Sequence, residues 1–204
     1  MKIIGIGKNY VNDLADLPTE AVTPMIFTKP DSSLLENNED LVLPSISNDV
    51  WYEIEIAVRI GSPCKDVAAD DALGYIDALT LANDLTAKDV LKKSREGNKG
   101  PWALGKGFDG ATPIAQFKPI TEFPDIKNIN FSIEVNGEER QKGNSSLMIT
   151  PVNQMIAYVS KFMTLNSGDI LLTGTPAHGV GQLNPGDHMI AFLEGEKVLE
   201  TKVV

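Results

Sequence analysis

The chain has 204 residues, 42% of them hydrophobic and 23% charged, which corresponds to roughly one domain of ~150 residues with a small annex, able to bury about 70% of its unfolded surface. Its net charge of −10 repels phosphate and argues against nucleic acid and anionic membranes as partners, but leaves room for a small anionic substrate drawn in by a metal ion or a few lysines. One cysteine, Cys64, excludes an internal disulfide and fits a reducing cytoplasm, and no stretch approaches the ~18 apolar residues of a membrane span.

MKIIGIGKNY opens with an apolar run broken by Gly5 and Gly7. It reads as a first strand, since a full apolar region and a cleavage site for a signal peptide are missing. PMIFTKP (24–30) reads as a second strand, and the turn-rich zone 31–49 as a surface excursion or a lid. Trp51 to Ile60 alternates strictly. Tyr52, Ile54, Ile56, Val58 and Ile60 share one face; Trp51, Glu53, Glu55, Ala57 and Arg59 share the other. Residues 68–77 suggest a short helix and LTLAND (79–84) a strand. Thr86 suggests the N-cap of a helix to about Arg95, followed by a loop from Glu96 to Pro101. INFSIEVNG (129–137) alternates and turns at Asn136-Gly137. Thr150 and Pro151 open a helix whose stripe is Met155, Ile156, Val159, Phe162 and Met163. Asp169–Thr173, His188–Leu193 and Lys197–Val203 read as strands. Strands outnumber helices without a regular βαβ rhythm, so the expected fold is mixed α/β and β-rich, a roll or sandwich with a few short helices.

Several chemistries drop out. Gly5-Ile6-Gly7 opens like a dinucleotide fingerprint, but position 10 is Tyr10. GTPAHGVG (174–181) lacks the Lys-Ser/Thr of a phosphate loop. Two histidines and one cysteine give no soft-ligand zinc set, and no GxSxG elbow is present. What remains is acidic. Glu53 and Glu55, two apart on a strand, point to the same side. They form either a solvated polar face or a site. Their mutual repulsion, and the presence of Trp51 and Ala57 on the same face, speak for a cation. Asp84 ends the apolar strand LTLAN and is either a third ligand or a helix-entry residue. Three carboxylates without His or Cys suit a hard cation with open positions, Mg²⁺ or Mn²⁺.

Together with this E-x-E pair and Asn83-Asp84, the motifs TAKD, W-x-x-G-K-x-F-D (Trp102, Lys106, Phe108, Asp109), G-K-N-Y (7–10), F-x-K-P (27–30), V-N-G-E-x-R-Q (135–141), S-S-x-M-I (145–149), G-D-I-L-L-T-G-T-P (168–176) and N-P-G-D (184–187) resemble the fumarylacetoacetate hydrolase family over essentially the full length. The chain is most similar to its short branch, which includes acylpyruvate hydrolases and oxaloacetate decarboxylases. The resemblance implies one catalytic domain over 1–204, with an N-terminal segment and lid to about residue 50 and a metal-binding core over 51–204. It implies a mixed β-roll, a cytoplasmic homodimer, and Mg²⁺ or Mn²⁺ on Glu53, Glu55 and Asp84. Lys106 would sit beside the metal and contact the substrate, with Thr175 and Lys29 as further substrate-binding residues. The implied substrate is a small 2-oxo or 1,3-dicarbonyl acid. Its carboxylate and keto oxygens would chelate the cation, a Lewis acid for the enolate formed on hydrolysis, isomerisation or decarboxylation.

One departure bears on the reaction. Hydrolytic members of the family continue G-x-N-Y-x-x-H-x-x-E, whose His–Glu pair activates water. Here Asp13 and Asp16 stand at those positions, Lys8 replaces an arginine, and Lys88 replaces the arginine before Asp89. Asp13 and Asp16 are either a catalytic pair sharing a proton or solvated loop residues. An unperturbed Asp titrates near ~3.9, so it is a weaker base than His at neutral pH. Hydrolysis, enolate chemistry without activated water, and a metal-binding dimer with weak or no hydrolase activity are the three readings that follow.

Overall fold

The structure is a computed structural model that describes residues 1–97, 102–176 and 178–204, with backbone alone over 93–97. Its strands in chain order are β1 (Ile3–Gly7), β2 (Met25–Lys29), β3 (Leu34–Glu36), β4 (Asp40–Leu41), β5 (Val50–Tyr52), β6 (Ile54–Ile60), β7 (Ile76–Asn83) and β8 (Thr86–Ala87). They continue with β9 (Thr112–Ile114), β10 (Lys118–Pro119), β11 (Asn130–Val135), β12 (Glu138–Asn144), β13 (Ile170–Leu172), β14 (Gly181–Gln182), β15 (His188–Leu193) and β16 (Glu196–Val203). The largest sheet runs β2-β1-β13-β6-β7-β9-β3, with β10 also on β7; a second runs β12-β11-β15-β16-β4, and a third β14-β5-β8. Helices α1 (Lys88–Gly97), α2 (Ala103–Lys106) and α3 (Val152–Phe162) pack around them. This is the expected β-rich mixed architecture with a few short helices.

Alternation along β6 sends Ile54, Ile56, Val58 and Ile60 into the main core, all almost fully buried. The opposite face is buried too: Ile3, Ala57, Ala82, Ile170 and Leu172 form a second cluster against Leu34, Ile114 and Phe117. A strand covered on both sides has no solvated face, which is why alternation on β6 does not mark an outside. β1 lies between β2, its antiparallel neighbour, and β13, its parallel one, with Ile3 opposite Ile170.

Five local expectations change. The zone 31–49 is stitched into two sheets: β3 pairs β9, β4 pairs β16, and Leu41 is fully buried. Residues 68–77 do not form a helix; only Ala72–Tyr75 turn, as a 3₁₀ turn, and Ile76 already pairs with Ile60. Thr86 is not a cap but part of β8 against β5, and α1 starts at Lys88. Glu96 and Gly97 belong to α1, and the rest of the expected loop, 98–101, lies outside the described residues. α3 begins one residue late, with extended Pro151 at the cap, because Thr150 is held by Asn9: the Asn9 Oδ1 accepts from the Thr150 N–H (2.8 Å) and its Nδ2 donates to the Thr150 carbonyl (3.1 Å). Met155, Ile156 and Val159 are buried as the stripe requires, Met163 packs partly buried against them, and Phe162 is exposed.

Asp169 ties the start of β1 to the start of β13. It accepts from the Lys2 N–H (2.7 Å) and the Asn166 N–H (2.8 Å) and pairs with Lys2 Nζ (2.6 Å). Burial alone would raise its pKa, but the Asn166 amide and Lys2 outweigh burial and hold the carboxyl below the usual range. The stability this contributes is present above the unfolded value near ~3.9 and lost as pH falls through the lower folded value. Asp169→Asn is expected to cost about 2 kcal/mol in urea unfolding at pH 7, with the gap to the unmodified protein closing below pH ~4. A gap that stays constant down to pH ~3 rejects the assignment.

Candidate active site

In the β6–β7 register Ile54 lies opposite Asn83 and Glu55 opposite Ala82. Asp84, just past β7, therefore comes level with Glu53, just before β6, and its N–H donates to the Glu53 carbonyl (2.8 Å). Glu53, Glu55 and Asp84 share one side of the sheet, and a carboxylate oxygen of each lies within 4.8 Å of the others. They are 8%, 2% and 1% exposed, so neither a solvated face nor a helix-entry role describes them.

Between β5 and β6 the chain changes sheets at Glu53, where strand neighbours are missing. Two side-chain amides take their place. Asn83 Oδ1 accepts from the Glu53 N–H (2.8 Å), and Gln141 Oε1 accepts from the Ile54 N–H (3.0 Å). Gln141 Nε2 donates to Thr175 Oγ1 (2.6 Å) and to the Pro176 carbonyl (2.8 Å), while Thr175 Oγ1 donates to the Ile54 carbonyl (3.0 Å). On the other flank Gly174, at φ +93°, donates its N–H to Glu55 Oε2 (2.7 Å). A Cβ at Gly174 would stand 2.7 Å from Asn9 Cβ and 2.9 Å from the Ile6 carbonyl oxygen, so this approach needs glycine.

Three lysines answer the three carboxylates. Lys29 Nζ binds Asp84 Oδ1 (2.5 Å) and the Ala111 carbonyl (2.8 Å). Lys106 Nζ binds Glu53 Oε2 (2.9 Å) and Asp84 Oδ2. Lys88 Nζ binds Glu53 Oε1 (2.7 Å) and lies over the Trp51 ring. Burial pushes Asp84 up, but Lys106 and Lys29 outweigh it and hold Asp84 below the usual carboxylate range. Glu55, which forms no ion pair with a lysine among the described residues, is raised by burial and by the neighbouring Asp84. Burial also pulls Lys29 below the lysine range, whereas in Lys106 the attraction of Asp84, Glu53 and Glu55 exceeds the burial penalty and keeps the ammonium charged. Over the group opens a cavity of about 360 Å³, bordered also by Lys8, Tyr10, Trp102 and Thr175. The Tyr10 hydroxyl is buried without a hydrogen bond of normal geometry, and burial keeps it protonated.

An all-oxygen, trianionic donor set suits a hard divalent cation, and the ammonium of Lys106 already stands as a cation between two of the carboxylates. Of the residues read from sequence, Glu53, Glu55, Asp84, Lys106 and Thr175 meet at the cavity. Lys29 does not border it: its side chain is fully enclosed and paired with Asp84. Asp13 and Asp16 are also elsewhere. They lie on the exposed 3₁₀ turn Leu14–Asp16, where Asp13 Oδ1 accepts from the Ala15 N–H (2.8 Å), and neither borders the cavity. Both stand in this structure as exposed turn residues away from the three carboxylates. Sequence reasoning missed Tyr10, Lys88 and Gln141 as site residues. All three stand inside the G-K-N-Y, TAKD and V-N-G-E-x-R-Q motifs, but only depth and register tell them from surface positions.

The sequence matches the fumarylacetoacetate (FAA) hydrolase C-terminal family over residues 2–204. It is 36% identical over 205 residues to an oxaloacetate tautomerase of Escherichia coli (strain K12), covering 100% of this chain and 92% of that one. It is 37% identical over 187 residues to a mitochondrial oxaloacetate decarboxylase of Dictyostelium discoideum, covering 91% and 85%. The fold superposes with TM-score 0.90 on the crystal structure of fumarylpyruvate hydrolase from Pseudomonas aeruginosa in complex with Mn²⁺ and pyruvate, at 28% identity, covering 100% and 89%.

Proposed function

The chain belongs to the fumarylacetoacetate hydrolase family, and on that premise we propose that it is a Mg²⁺- or Mn²⁺-dependent enzyme that interconverts the keto and enol forms of a small dianionic 2-oxo acid such as oxaloacetate, or decarboxylates it, rather than hydrolysing a C–C bond. Relatives that carry those two activities by name support the substrate class. The observation that carries the choice of reaction is the position of Asp13 and Asp16, which stand at the water-activating positions of the family motif but do not border the cavity. A homodimer in the cytoplasm is part of the same proposal.

Glu53, Glu55 and Asp84 would hold the cation, which supplies Lewis acidity that offsets negative charge developing on substrate oxygens. The chain's own residues do the rest. With its three lysines the carboxylate group is electrically balanced, so the two charges of a divalent cation are left over to attract a dianion. Of the lysines in that balance Lys106 and Lys88 stand at the cavity, and Lys8 adds a further positive charge at its border. Thr175, clamped by Gln141, fixes the wall opposite. Tyr10, at the cavity border, keeps its proton.

The test is a side-by-side assay of oxaloacetate ketonisation, oxaloacetate decarboxylation and acetylpyruvate cleavage, each with Mg²⁺, with Mn²⁺ and with chelator. Ketonisation or decarboxylation is expected to exceed cleavage by about 10² or more and to stop with chelator. Cleavage as the fastest reaction assigns a hydrolase; no turnover of any of the three, with the cation bound, assigns a metal-binding protein.

A further inference from the structure

Ile54 is the residue between Glu53 and Glu55, and the register of β13 on β6 stops short of it, with Leu172 opposite Ala57. The last bond of that ladder runs from the Thr173 N–H to the Ile56 carbonyl (3.0 Å), after which Gly174 turns the chain away and gives its N–H to Glu55 Oε2. Two residues earlier on β6, side chains continue the ladder. The Ile54 N–H donates to Gln141 Oε1 (3.0 Å), Gln141 Nε2 donates to Thr175 Oγ1 (2.6 Å), and Thr175 Oγ1 donates to the Ile54 carbonyl (3.0 Å). These three bonds close a ring on one residue. The orientation of the Gln141 amide is fixed by its backbone partners, since an N–H can meet only Oε1 and the Pro176 carbonyl, 2.8 Å away, can meet only Nε2. Every proton in the ring is thereby assigned, and removing one member leaves a buried donor or acceptor unpaired.

β12 delivers Gln141 to this place. The β11–β12 register passes from Ile133–Gln141 to Glu134–Glu139, so Arg140 is the extra residue of a bulge, a device that re-aims the side chains beside it. Arg140 and Lys142 are exposed, whereas Gln141 is 1% exposed. The segment after Thr175 lies close on the bulge: a Cβ at Gly179 would stand 1.8 Å from the Arg140 carbonyl oxygen. β12 is the edge of the second sheet, so Gln141 ties that edge to the carboxylate strand of the first. It does not itself border the cavity. We propose that Gln141 is a positioning residue of the site: with Thr175 as the other side-chain member of the ring, it grips Ile54 on both its N–H and its carbonyl and so fixes the separation at which Glu53 and Glu55 share one cation. It acts through the backbone and touches neither cation nor ligand. This rests on the reading of Glu53, Glu55 and Asp84 as the cation site, and adds to it what holds two of the three carboxylates in place.

The experiment titrates metal-stripped protein with Mn²⁺ by calorimetry, and measures the urea stability of each cation-free protein. Gln141→Met, which keeps the bulk and removes all three hydrogen bonds of the amide, is expected to bind Mn²⁺ about tenfold more weakly at unchanged stoichiometry. Thr175→Val opens the same ring from its other side and is expected to do likewise, whereas Thr175→Ser, which keeps the hydroxyl, stays within about twofold of the unmodified protein. If Gln141→Met does not fold, the two Thr175 variants carry the test. A loss of urea stability in Gln141→Met with Mn²⁺ affinity within twofold of the unmodified protein makes Gln141 structural only and overturns the proposal. Equal weakening in Thr175→Ser and Thr175→Val, or weakening in neither, overturns the ring. Failure of the unmodified protein to bind Mn²⁺ overturns the cation site itself. None of these measurements uses turnover, so a failure of the proposed reaction is told apart from a failure of the positioning.

Discussion

Asp84→Ala is expected to lower turnover by about 10³ or more and to cost about 3–5 kcal/mol of stability in the cation-free protein. The two losses have separate origins. One carboxylate fewer weakens the hold on the cation. At the same time Lys29, fully enclosed, keeps only the Ala111 carbonyl as a partner, and Lys106 keeps only Glu53. Glu55→Gln separates the effects. Glu55 forms no ion pair with a lysine among the described residues and accepts one backbone N–H, and glutamine preserves that acceptor, so turnover should fall comparably while urea stability changes by less than ~1 kcal/mol. Full activity of either variant in the presence of chelator removes these residues from the cation site.

The second large effect concerns hydrolysis. A positioned base is worth ~10²–10⁴ in rate. Asp13 is exposed, engaged with the Ala15 N–H and away from the cavity. Asp13→Asn should leave ketonisation within about twofold of the unmodified rate, because the substitution retains an oxygen acceptor for that N–H and touches nothing at the cavity. Acetylpyruvate cleavage that is rapid in the unmodified protein and collapses in Asp13→Asn makes Asp13 the base and the turn a closing element. Asp13→His tests the converse: a gain in cleavage requires the turn to move onto the cavity.

The spacing of Glu53 and Glu55 and the end position of Asp84 lead to the three-carboxylate cluster, since the antiparallel register brings the start of β6 to the end of β7. The break between β5 and β6 left no mark in the sequence: Tyr52 and Ile54 are both buried, so alternation runs smoothly through a change of sheet. Lys29 and Lys106 look alike in a motif; both pair with Asp84, and only depth separates the enclosed Lys29 from Lys106 at the cavity wall. Residues 68–77 mislead because three-apart apolar residues suit a helix, while Ile76 gains more by joining the ladder to β6. Asp13 and Asp16 are identified by motif position alone, and motif position carries no information about distance from the carboxylates.

The parallel pairing of β1 with β13 sets a schedule for synthesis. Lys2 and Asp169, at the starts of these strands, are separated by 167 positions. At about 5–20 residues per second, roughly 10–30 s elapse between the emergence of the first strand and that of its inner neighbour. Throughout that interval β1 has only β2 beside it, and Ile3 and Ile4, fully buried at the end, face water or a chaperone. Enclosure of β1 in the large sheet thus waits on β13, and slow translation prolongs the exposure of an aggregation-prone edge.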